Sequence, residues 1–102
     1  MSKVVKIIAV SASHHPLHKI VDRVCKEVAE EHGVEYELKI EDYVFLNEYG
    51  VQDEFGFAGV PQIFIQYDDG SIKVVLHEFP LNERLQPDIE KAKEIIKSKM
   101  SV

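Results

Sequence analysis

The stretch Val4-Val5-Lys6-Ile7-Ile8-Ala9-Val10 constrains the fold more than any other part of the chain. It is rich in β-branched residues and nearly continuous in apolar character, where a strand with one wet face would alternate. Such a run needs cover on both faces and predicts an interior strand. Small and polar residues from Ser11 to His15 end it. A helical period follows, with Leu17, Ile20, Val21, Val24 and Val28 on one side and Asp22, Lys26 and Glu30 on the other. Pro16 suits the first turn of that helix, where its missing N–H costs nothing, and Gly33 suits its end.

Val34 to Ile40 then alternates, as a half-buried strand does. Residues 41–59 are irregular, acidic and aromatic, with a short helix expected around Asn47 to Tyr49. Pro61 to Tyr67 reads as a second apolar strand, Asp68-Asp69-Gly70-Ser71 as a hairpin turn, and Ile72 to Phe79 as the returning strand. After a connection over Pro80 to Gln86, Pro87 opens a last helix with Ile89, Ala92, Ile95, Ile96 and Met100 on its apolar side. The expected order is β-α-β-(short α)-β-β-α in one α/β domain over residues 1–102.

Composition narrows the functions. The formal net charge is −6, and the lysines are interleaved with Glu and Asp rather than clustered. That balance repels phosphate backbones, so nucleic acid is not an expected partner. No apolar run approaches the roughly 18 residues of a membrane span, and no membrane association is expected. Met1-Ser2-Lys3 leads directly into the first strand without a long apolar leader, from which a cytoplasmic location is expected. A single cysteine, Cys25, excludes an internal disulfide and any two-cysteine redox cycle within the chain.

The order of elements, with a hairpin before the last helix, resembles the thioredoxin/glutaredoxin superfamily, in particular its small archaeal-type glutaredoxin-like proteins. Gly59-Val60-Pro61-Gln62-Ile63-Phe64-Ile65, followed by Asp69-Gly70, is similar to the family's segment before its third strand. The resemblance implies a four-stranded mixed sheet with helices on both faces. It also implies a cis Val60–Pro61 bond beside a groove that pairs with bound substrate. Where the family places Cys-Pro-x-Cys, this chain carries His15-Pro16-Leu17-His18. A shifted alignment puts Ser11 or Ser13 there, and no alignment recovers a cysteine. A glutaredoxin-like disulfide oxidoreductase is the activity the label implies, but imidazole cannot form a mixed disulfide. Cys25 lies two to three turns along the helix beside the apolar stripe and reads as an inert buried thiol, so dithiol–disulfide activity is not expected. Lys6 to Ser13 also resembles the first strand and phosphate loop of flavodoxin-like FMN reductases. Those need further parallel βα units where this chain has a hairpin.

The remaining candidates divide between chemistry and plain structure. His15 and His18, at i and i+3, can reach a common zinc or nickel ion, with His14 as a third donor. The same histidines serve equally as surface or capping residues, or in proton transfer near neutrality. Ser11 or Ser13 beside a histidine suggests a nucleophile, for which no orienting acid is identifiable; helix capping by Ser13 is the simpler role. His32 closes a helix and His77 alternates within a strand. Tyr43, Phe45, Tyr49, Phe55 and Phe57 place five of nine aromatic residues within 15 positions. Most are expected in the core, with some lining a recognition surface. The leading expectation is a non-redox binding module without a cofactor. It would use a groove of Ser13, His14, His15, His18, Phe57, Val60 and Pro61 to hold a protein segment or a small ligand. A metal-dependent protein using His15 and His18 is the alternative.

Overall fold

The structure, a computed structural model, describes residues 2–101. Strand β1 (Val4–Ser11) is the interior strand that its apolar run demands. It pairs parallel with β2 (Glu35–Ile40) on one side and antiparallel with β3 (Gln62–Tyr67) on the other. β3 in turn pairs antiparallel with β4 (Ile72–Leu76) through the turn at residues 68–71. The result is a four-stranded mixed sheet in the order β2-β1-β3-β4. Only one strand pair is parallel, so the all-parallel flavodoxin-like alternative does not hold.

The two-residue period of β1 sorts its side chains between two layers. Ile7 and Ala9 face a core built with Val21, Val24, Cys25 and Val28 of helix α1 (His18–His32) and with Ala92 and Ile96 of helix α3 (Ile89–Met100). Ile8 and Val10 face the opposite side. There they pack with Phe64 of β3, Leu46 of helix α2 (Tyr43–Tyr49) and Ala58. Helices therefore cover both faces. α1 and α3 are also tied together by Lys93–Glu27 and Lys97–Glu31 ion pairs. No helix among the described residues is long and apolar enough to cross a membrane.

The elements differ from the sequence-based expectations mainly at their ends. Pro16 does not sit in the first turn of α1: residues 13–17 form a turn, and the helix starts at His18 with Leu17 as its N-cap. Pro87 likewise precedes α3, because the Asp88 carboxylate accepts from the Lys91 N–H (3.0 Å) and takes the capping position itself. The short helix begins at Tyr43 rather than near Asn47, since Asp42 caps it by accepting from the Phe45 N–H at 3.0 Å. β4 stops at Leu76, which leaves His77 and Glu78 in a bend beyond it rather than within a strand. Gly33 does end α1, at a φ of 64° in the left-handed region that glycine enters freely.

Candidate functional site

Two places on the molecule gather the candidate residues, and they are separate. The first is the turn between β1 and α1. His15 folds back so that its Nδ1 accepts the Leu17 N–H at 3.1 Å, a backbone group the helix leaves unpaired. His18 Nδ1 lies 3.1 Å from the Ser11 hydroxyl. Ser11 is fully buried at the end of β1, and its carbonyl also accepts from the Glu41 N–H at 2.7 Å. A nucleophile must be reached by its substrate, so burial removes the catalytic reading of Ser11. Ser13 and His14 are exposed, and the Ser13 side chain caps nothing; α1 has no side-chain cap, and His15 bonds only the N–H of the N-cap residue Leu17.

One helical turn beyond His18, Asp22 accepts from the Tyr36 hydroxyl at 2.6 Å and pairs with Lys26 at 3.2 Å. Burial pushes the Asp22 carboxyl up, but Tyr36, Lys26 and the nearby His18 outweigh it and hold the group below its ordinary value. Tyr36 is pushed up, by burial and by its bond to Asp22. Behind them Cys25 is wholly buried, and burial, with Asp22 adding to it, pushes its thiol far above the range in which a thiolate forms. Every buried side-chain nitrogen and oxygen among the described residues has a partner. The cluster is a satisfied polar network that anchors the start of α1 to β1 and β2.

Metal binding at this turn meets a specific competition. The lone pair on His15 Nδ1 is engaged by a backbone N–H, which leaves the ring proton on Nε2. Binding a metal through Nε2 requires moving that proton to Nδ1 and giving up the bond to Leu17. Among the described residues, no group of three or more His, Cys, Asp or Glu is placed to hold a metal ion.

The second place is a cleft of about 460 Å³ in front of β3, lined by Val51, Asp53, Phe57, Val60, His77 and Glu78 among others. The Val60–Pro61 peptide bond is cis, as the resemblance implied. Val60 is half-buried against the α2 side of the core, and Pro61 is half-buried beside it. The walls of the cleft are held by one side chain. Gln62, only 2% exposed, accepts the Val51 N–H at 2.9 Å and donates to the carbonyls of Val51 and Gly59, both at 3.0 Å. Gly50 lies against this amide: a Cβ there would stand 2.7 Å from the Leu46 carbonyl and 3.0 Å from Gln62 Oε1.

The rim is a loop that hydrogen-bonds to itself. Asp53 Oδ1 accepts from Phe55 N–H (2.9 Å) and Phe57 N–H (3.0 Å), and Asp53 N–H donates to the Phe57 carbonyl at 2.8 Å. Gly56 closes the turn at a φ of 83°. Tied in this way, the loop holds Phe55 and Phe57 outward at 75% and 72% exposure. This corrects the expectation that most of the aromatic stretch completes the core. Only Phe45 does so, edge-on to Phe64 with ring centroids 5.0 Å apart, while Tyr43, Tyr49, Phe55 and Phe57 are exposed.

Of the residues expected to share one groove, Phe57 and Val60 line this cleft and Pro61 adjoins it. Ser13, His14, His15 and His18 do not line it. The sequence reading set the stretch from Tyr43 to Phe57 beside the groove without singling out Val51 or Asp53, and it did not assign Gln62, His77 or Glu78 to it. Gln62 follows directly on the proline segment, and a polar residue opening an otherwise apolar strand was the available signal. Compared with known protein families, curated proteins and solved structures, the chain shows no match to any of them.

Proposed function

We propose that this chain is a thioredoxin-like binding module without thiol chemistry, which holds a protein segment in the cleft beside the Val60–Pro61 turn. The thioredoxin-like reading is supported by the element order, the sheet order β2-β1-β3-β4 and a proline turn leading into β3. The binding reading is carried by one observation: Phe57 stands exposed at the edge of a cleft that it lines, and Phe55 stands exposed two residues before it, on a loop held by its own hydrogen bonds. Exposed rings beside a cleft of mixed polar and apolar lining leave favourable burial unrealised until something covers them. Fixing them in advance lowers the ordering cost of binding. The backbone ahead of Pro61 supplies strand-like pairing for an extended chain. A thiol has no part in this, because the lone cysteine lies in the core.

Selection of random dodecapeptides on the 102-residue chain, followed by affinity measurement on a synthesised winner, tests this reading. Phe57→Ala is expected to weaken that peptide by about tenfold or more, as truncating an aromatic anchor does. The melting temperature should hardly move, because the ring is exposed. Peptides that bind equally well to Phe57→Ala, or no selected peptide at all, would overturn the reading.

A further inference from the structure

The electrostatics around the cleft say what kind of segment fits it. Between Lys39 and Lys73 the chain has no Lys or Arg and seven acidic residues. The ion pairs of the described residues lie elsewhere, on β1, β2, α1, α3 and the start of α2: Lys6–Glu37, Arg23–Glu27, Lys26–Asp22, Lys39–Asp42, Lys93–Glu27 and Lys97–Glu31 among them. Asp53 and Glu78, which line the cleft, have no cationic partner among the described residues. The two carboxylates that line the cleft are thus left without a cation, in a stretch of chain that supplies none.

We propose that the occupant is an extended segment bearing Lys or Arg side chains, a reading that rests on the binding-module function above. Carboxylates and ring faces both attract such cations. The chain shows the second kind of contact within itself, where Lys39 Nζ lies 5.1 Å from the centroid of Phe45. Tyr49 packs against Phe45 with ring centroids 4.8 Å apart; Tyr43, Tyr49, Phe55 and Phe57 are exposed, and no cation lies over them among the described residues.

The shape specifies an extended chain. Val51, His77 and Glu78 also line a second cleft of about 470 Å³, which continues past Val74, Val75 and Leu76 to Ile95 and Lys99. β4 is an edge strand, and among the described residues it is hydrogen-bonded only to β3, so its outer edge is open to a pairing strand. Lys99 at the far end sets a direction, with the cationic side chains at the Asp53 and Glu78 end and neutral or acidic ones toward Lys99. A second copy of this chain is a poor occupant, since it would bring the same acidic surface to the cleft.

The composition of the selected dodecapeptides tests this, together with Asp53→Asn/Glu78→Gln, which keeps the acceptors of the Asp53 turn and removes both charges. Expected are an enrichment of Lys and Arg among peptides that depend on Phe57, and a roughly three- to tenfold loss of affinity in the double variant. Affinity should also fall as NaCl is raised from 50 to 500 mM. Glu90→Gln/Glu94→Gln on α3 is the control and should change nothing. Phe57-dependent peptides without Lys or Arg, equally tight on the double variant, would overturn the charge inference and leave the binding module standing. Absence of any Phe57-dependent peptide would overturn both.

Discussion

Gly50 leaves the space that the Gln62 amide and the Leu46 carbonyl occupy beside the cleft. The Gln62 amide replaces a missing strand for Val51, bonding both its N–H and its carbonyl. It can approach only because residue 50 has no side chain. Gly50→Ala is therefore expected to cost about 1–3 kcal/mol, as overfilled sites do. Urea unfolding should show it as a lower midpoint at unchanged slope; a midpoint equal to wild type would mean the contact is loose. Asp22 gives a second test at this scale. Its folded carboxyl is held below the ordinary value of about 3.9, so its stabilisation is complete above that value and lost as pH falls through the folded one. The stability gap between wild type and Asp22→Asn should shrink as pH falls below about 4. A gap that widens in acid would contradict the assigned partners.

At the scale of elements, legibility followed burial. β1 and α1 were readable because each buries a full face: Ile7 to Val10 are at most 2% exposed, and Val21, Val24 and Val28 not at all. Helix ends were not, because they are decided by single local contacts, such as the Asp42 and Asp88 caps of α2 and α3 or the His15–Leu17 bond before α1, rather than by periodicity. The aromatic stretch misled for a related reason. A helix of seven residues offers one inward stripe, filled here by Phe45 and Leu46, so the other rings have no core to enter. Hydrophobicity alone does not separate a ring held outward by an Asp53 turn from one packed inside. That turn can be tested directly. Asp53→Ala is expected to speed amide exchange at Phe55 and Phe57, while Asp53→Asn, which retains an acceptor, should not. Unchanged exchange in both variants would mean the loop is held by something other than Asp53.

For the whole molecule, the candidate site was legible only in part. The proline segment and Phe57 could be read as a groove, but the histidine turn could not be separated from it. Proximity in a family pattern does not say which way a turn packs. Here His15 and His18 turn inward to Leu17 and Ser11, and the cleft opens instead toward the end of β4. The buried thiol bears on the same question. Cys25 should react with an aromatic disulfide reagent only in denaturant; prompt labelling of the native protein would place it within reach of chemistry.

Chemical-shift mapping of the selected peptide on the isotope-labelled protein tests the central claim most directly. Shifts centred on residues 51–60 and 77–78, reduced in Phe57→Ala, are the expected result. Shifts centred on residues 13–18, with the cleft unperturbed, would contradict it and return the function to the histidine turn.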